Sequence, residues 1–555
     1  MYILENLVNP VKCYTACIMN PNEVVKRIWS KDASLWKSDE QNVKVINNSL
    51  GWLTVAGEML GVVDDLLAFA GSVRASNFQH VMVCGMGGSS LCPEVLATTF
   101  GRQTGFPELL VLDSTDPDVI AGFQERIDVE RCLFIIASKS GSTTEPNVFS
   151  KYWYEEVSKR REKPGENFIA ITDPGSPLVE TAKELGFRRT FLNQSDIGGR
   201  YSALSYFGMV PAALMGLDVR KFLERAREAE QSCHAESNPA FQLGMLLGEC
   251  ANSGRDKLTL VIDPSLETLG LWIEQLIAES TGKEGKGILP VNGESLGQPE
   301  VYGDDRVFVS ISPRDISEQT QSKLDALAAA GHPVVYRKLA DIYDLGAEFF
   351  EWEFATACAG WRIGINPFDQ PNVQEAKDAT KELLSSFERR GRLEPRTQLA
   401  TDDLITIYGA EESEEQSVDE VLRAHLATIK PGDYIAFLNY IEETPEIDRQ
   451  FQALRTELRD TTKCAVTIGY GPRFLHSTGQ LHKGGPDTGV FFQIIANDEV
   501  DFAVPGEPYT FSILKQAQAQ GDFRALAKRG RRVIGIDLGN DTLRGLEELN
   551  HRLRG

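Results

Sequence analysis

The sequence predicts an α/β chain of parallel-sheet domains, and three observations predict it. Short β-branched runs alternate with helix-length stretches from residue 78 to about 220, the alternation restarts at 258, and it returns from 404 after a charged interval. Two doubly wound domains, each a parallel sheet between helical layers in an αβα sandwich, are therefore expected. A helical layer precedes them and a C-terminal α/β unit comes after them.

Residues 1–76 carry apolar positions at helical spacing and no clear β run, as in PNEVVKRIWSKDASLW, so they read as an N-terminal helical segment packed on the domain next to it in the chain. In 77–250 the strand candidates are VMVC, LLVLD, LFIIAS and FIAIT. In 251–388 they are LTLVID, VFVSIS and PVVY, closed by a helix over KDATKELLSSFE, 377–388. The interval RRGRLEPRTQLATDD, 389–403, reads as a charged loop, and 404–555 holds LITIY, YIAFL, AVTIG, VFFQI and RVIGID. The acidic run EESEEQSVDE, 411–420, is the composition of a solvated loop or helix start.

At 555 residues with 42% hydrophobic content, the chain can supply a core for each of these units. A formal charge of −23 disfavours nucleic acid, and it also means that any phosphate site has to be built locally from amides, hydroxyls and a few cations. No apolar run reaches the roughly 18 residues of a membrane span, and the N-terminus lacks the pattern of a secretory signal, so a soluble cytoplasmic protein is expected. The nine cysteines are scattered without a CxxC pair or zinc-type spacing, which suits a reducing compartment and suggests no metal.

The first chemical signal is GMGGSS, 85–90, directly after an apolar strand candidate. A glycine turn between strand and helix suits the diphosphate of a dinucleotide or the phosphate of a sugar. Asp113, at the end of the next strand, keeps the dinucleotide reading open, whereas Ser90 in place of the third fingerprint glycine counts against it. One βα unit later comes SKSGSTTEP, 138–146, with hydroxyls at 138, 140, 142, 143 and 144. A helix cap accounts for one or two of them. The remainder suit a cage for one phosphate dianion at a helix N-terminus, beside the carboxyl ends of parallel strands.

These two segments, GMGGSSLCP and SKSGSTTEP, resemble the phosphate motifs of the sugar isomerase (SIS) domain and, more specifically, of the phosphoglucose isomerase family. GGRYSALSYFGMVPAALMG, 198–216, resembles that family's arginine motif, AESTGK, 278–283, its glutamate segment, and INPFDQPNVQEAK, 365–377, its lysine segment. The chain is most similar to the isomerase portion of bacterial transaldolase/phosphoglucose isomerase fusions, although the 76 N-terminal residues are too short for a transaldolase barrel.

The resemblance implies reversible isomerisation of glucose 6-phosphate and fructose 6-phosphate without metal or cofactor, by ring opening and proton transfer through a cis-enediol. Glu279 is the implied base. The stripe Leu269, Trp272, Ile273, Leu276 and Ile277 sets it near the end of an amphipathic helix capped at Gly282. Arg200, after Gly198 and Gly199, is the cation for the enediolate, and Lys377 acts at the sugar ring. Ser89, Ser138, Ser140 and Thr143 are the implied phosphate ligands, helped by the Lys139 amide, with Gly87, Gly88, Gly199 and Glu145 close to the substrate.

The ring-opening histidine departs from the family order, since 280–376 contains only His332. His482, in GQLHKGGPDTGVFFQI, is favoured, with His476 and His332 as rivals. In the family that histidine is donated by a neighbouring subunit, so the resemblance implies a homodimer. A dual isomerase also accepting mannose 6-phosphate, a non-catalytic sugar-phosphate sensor and a dehydrogenase are the competing readings.

Overall fold

A computed structural model describes residues 20–236, 238–412 and 416–554. The start of the N-terminal segment, with Cys13 and Cys17, and part of the acidic run lie outside the described residues.

Helices Pro21–Trp29, Glu40–Asn47 and Val55–Ala75 open the described chain. The first begins where Asn20 accepts a hydrogen bond from the Asn22 amide and proline occupies the first turn, a position where its missing N–H costs nothing. Val24, Trp52 and Met59 from these helices and the turn between them share one apolar core with Val81, Ile135 and Ile169 of the first sheet. The expected helical layer therefore covers one face of that sheet.

The first sheet contains β1 (His80–Cys84), β2 (Glu108–Leu112), β3 (Cys132–Ala137), β4 (Phe168–Thr172) and β5 (Arg189–Leu192), in the order β2-β1-β3-β4-β5. The second contains β6 (Lys257–Ile262), β7 (Leu289–Val291), β8 (Arg306–Ser312) and β9 (Val334–Lys338), in the order β7-β6-β8-β9. Every pairing in both is parallel. Strands buried on both faces need continuous apolar runs, which is why CLFIIA in β3 is wholly buried.

The third sheet contains β10 (Thr397–Thr401), β11 (Thr406–Gly409), β12 (Tyr434–Tyr440), β13 (Ala465–Tyr470), β14 (Gly489–Ile495) and β15 (Arg532–Asp537), in the order β10-β11-β15-β14-β12-β13. It is mixed, because β10 pairs antiparallel with β11 and β11 with β15. β10 falls in the interval read as a loop. β5, β7 and β10, the strands that the apolar runs did not announce, all lie at sheet edges and are too short to show a long hydrophobic run.

The third sheet is packed tightly against the others. Tyr434, Leu438 and Phe491 share a core with Ala278 and Val291 of the second sheet's layer, while Val504, Phe511 and Leu514 pack on the first sheet beside Phe149. Each such side chain withdrawn from water contributes ~1.5–3 kcal/mol. The seam where the three units meet holds a deep cavity.

Candidate active site

In-register pairing ends β1, β2 and β3 at the same level, with Cys84 opposite both Leu112 and Ile136, so the turns beyond these strands emerge side by side. Two of them lead into helices Leu91–Phe100 and Thr144–Ser158, and neither helix has a side-chain cap at its N-terminus. Unpaired amides and the positive ends of two helix dipoles thus face one space. That space is a cavity of about 1150 Å³.

Gly87, Gly88, Ser89, Lys139, Ser140, Thr143, Glu145, Gly199, Arg200, Glu279 and Lys377 all line it. Gly88 lies so close to the second glycine turn that an added Cβ would sit 1.9 Å from the Gly199 carbonyl oxygen. This contact sets Arg200 beside the phosphate-type turns. The Lys139 ammonium is engaged elsewhere, with the Asp173 carboxylate and, at 2.8 Å, the Ser195 carbonyl.

Ser138 differs from expectation. Its side chain lies beneath the turn instead of on the cavity wall, donating to the Thr143 hydroxyl at 3.1 Å and accepting from the Gly141 amide at 3.1 Å. It shapes the loop whose outer hydroxyls face the cavity.

Arg200 is buried, and its guanidinium is fixed by four donations: to Ser280 Oγ at 2.7 Å, Gln370 Oε1 at 3.0 Å, and the carbonyls of Pro367 at 2.6 Å and Asp369 at 3.0 Å. The acceptors at 367–370 belong to the lysine segment, so that loop orients the arginine as well as leading to Lys377. Glu279 occupies the last turn of helix Leu269–Thr281, with Oε1 3.7 Å from Arg200 Nη1 and Oε2 accepting from Gln275 at 3.3 Å. Lys377 is exposed, one turn inside helix Val373–Arg390 instead of at its start.

The three candidate histidines are placed differently. His482 lies on the short helix Gly479–Gly484, its Nδ1 2.9 Å from the Tyr434 hydroxyl and its ring edge-on to Phe491. Burial, then Lys483 and Arg531, push its pKa well down, leaving a neutral core imidazole outside the cavity. His332 is likewise buried against Phe308 and Tyr302, away from the site. His476 lines the cavity, with Nε2 3.2 Å from Glu145 Oε1. Burial works to raise the pKa of Glu145, but the charge and hydrogen bond of His476, and more distantly Lys377, outweigh it and leave it lowered. A carboxylate oxygen can only accept, so the ionised Glu145 holds the histidine through its Nε2–H.

Sequence reasoning also missed two supports. Gln275 donates to both Glu279 and the His476 carbonyl, the latter at 2.7 Å, and its spacing one helical turn before Glu279 was the available signal. Gln518, on helix Phe511–Lys528, donates to Glu145 at 2.6 Å, and nothing local marks it. Asp113, the would-be ribose acid, receives Arg473 in a bidentate pair at 2.9 Å and the Ser90 hydroxyl at 3.2 Å. That occupancy removes the feature on which the dinucleotide reading rested.

Such a site defines an α/β protein with a cavity at its parallel-sheet edge, lined by two uncapped helix N-termini and by fixed carboxylate, imidazole and cationic groups. The family model described as phosphoglucose isomerase matches residues 60–289. A glucose-6-phosphate isomerase of Cyanothece sp. is 33% identical, with the match covering 59% of this chain and 72% of that protein. One from Staphylococcus saprophyticus is 29% identical, over 62% of this chain and 90% of that protein. The chain belongs to the phosphoglucose isomerase family. Its fold is similar to those of a hypothetical protein from Thermus thermophilus (TM-score 0.57, 23% identity, 66% of this chain and 94% of that one) and a glucose-6-phosphate isomerase from Chlamydia trachomatis (TM-score 0.51, 19% identity, 67% and 86%). Among the described residues, no helix is long and apolar enough to cross a membrane.

Proposed function

We propose that this chain interconverts glucose 6-phosphate and fructose 6-phosphate, acting on the free sugar phosphate in the cytoplasm. One observation carries the reading: the Glu279–Arg200 pair and the Glu145–His476 pair open onto the same cavity, beside two uncapped helix N-termini. A non-catalytic sensor needs the anion site but has no use for the two acid/base pairs.

In this reading the phosphate is anchored by the amides at the starts of helices Leu91–Phe100 and Thr144–Ser158 and by the hydroxyls of Ser89, Ser140 and Thr143. His476 and Lys377 exchange the proton between the ring oxygen and the anomeric hydroxyl, opening the ring to the carbonyl form. Glu279 then takes the proton from the carbon beside the carbonyl. The C–H electrons form the C1–C2 double bond and the carbonyl oxygen becomes an enediolate held by Arg200; that oxygen takes the proton of the adjacent hydroxyl, whose oxygen becomes the new carbonyl as the double-bond electrons take the proton back from Glu279 at the other carbon.

The division into 1–76, 77–250, 251–388 and 404–555 is retained as part of the proposal. It is supported by the way each sheet draws its strands from one stretch, β10 alone lying just before 404.

The test is turnover of fructose 6-phosphate, read with a glucose-6-phosphate dehydrogenase couple. Glu279→Gln is expected to lower kcat by ~10²–10⁴-fold. Wild-type turnover in that variant would overturn the assignment of the base.

A further inference from the structure

We propose that each chain holds a complete active site of its own, with the third α/β unit supplying in cis the residues that a second copy would otherwise donate. This rests on the isomerase reading above and concerns where its parts come from.

The strongest observation is the set of bonds that carry His476 into the cavity, all within one chain and across long sequence separations. His476 reaches Glu145, its carbonyl accepts from Gln275 of the second sheet's layer, and Gln518 braces Glu145 from the far side while accepting from the Thr115 hydroxyl at 2.7 Å. Just before His476, Arg473 clamps the loop to Asp113 at the end of β2. Behind it, the helix Gly479–Gly484 abuts the end of the Glu279 helix so closely that a Cβ on Gly282 would sit 2.3 Å from the Leu481 Cα.

A histidine arriving from another chain would have to displace this loop. Doing so would break the Arg473–Asp113 pair and the Gln275 bond, and would expose the apolar contacts of Phe511 and Leu514 on the first sheet. The tethered loop instead meets Glu145 at the effective concentration of an intramolecular segment. The third unit thus provides both a catalytic group, His476, and a positioning group, Gln518.

Two experiments test this. Glu279→Gln and His476→Ala chains carrying different tags are co-expressed, and activity is compared with the sum of the separate variants. A site shared between copies of a symmetric dimer would restore about a quarter of wild-type activity after random pairing. Self-contained sites give nothing above the sum, and recovery to that level would overturn the proposal. The second readout does not depend on turnover. The Lys151–Glu507 ion pair joins the first sheet's layer to the third unit, and a zero-length carbodiimide is expected to fix it as a Lys151–Glu507 crosslinked peptide in the monomer-mass gel band. Finding that peptide only in the dimer-mass band would overturn the proposal, and this result stands even if the wild type fails to isomerise the sugar phosphate.

Discussion

His476 and His482 lie in one glycine-rich stretch, and composition gave no means of choosing between them. The choice is made by a single turn of helix that faces His482 onto β12 and β14, where Tyr434 and Phe491 enclose it, and leaves His476 on the preceding turn at the cavity. His476→Ala is expected to lower kcat by ~10²-fold or more, as loss of a positioned acid/base does, whereas His482→Asn lowers the melting temperature and leaves kcat near wild type. The coupled assay and a thermal melt on both variants check this. That Glu279, Arg200 and Lys377 line one cavity was legible through the family motifs that contain them. Gln518 was not, since only the packing of two distant segments gives it a partner.

At the scale of elements, strand runs buried on both faces announced themselves, whereas β5, β7 and β10 are edge strands too short to form a recognisable apolar run. The turns were legible as glycine-rich, but their mutual contact was not. Gly88→Ala forces its turn away from the Gly199 carbonyl, and with it Arg200 from the phosphate turns. Its kcat/KM for fructose 6-phosphate is expected to drop ~10²-fold, the scale of a 1 Å misplacement. On the helix Leu91–Phe100, burial raises the pKa of Glu94 from 4.5 to about 7, opposed by Arg473 and reinforced by Asp113 and Glu443. A carboxyl with a raised folded pKa adds no cost below 4.5, where both states are protonated, and its full cost above 7, where both are ionised. The stability lost between those limits is recovered in Glu94→Gln. Chemical denaturation at pH 8 is expected to show a gain of about 1–3 kcal/mol over wild type, vanishing near pH 4.

For the whole molecule, the order of domains was legible and their assembly was not, because the side chains that join the third sheet to the other two look like ordinary core residues. Tyr434, Leu438, Val504 and Phe511 acquire their meaning only when the sheets meet. The same close packing protects the thiols. Cys84, Cys92, Cys132, Cys233, Cys250, Cys358 and Cys464 are all buried, so a thiol reagent is expected to leave these seven unmodified in the native protein, as judged by peptide mass, and to modify them once the chain is unfolded. In the proposed reaction the assembly brings one carboxylate, Glu279, to adjacent carbons of an anchored sugar. The most direct measurement is the isomerisation of fructose 6-phosphate in heavy water, with the glucose 6-phosphate product read by NMR. Glu279 acting through an enediolate exchanges its proton with solvent during some turnovers, so deuterium is predicted at C2 of the product; turnover that leaves C2 free of solvent deuterium would mean direct hydride transfer and would contradict the account.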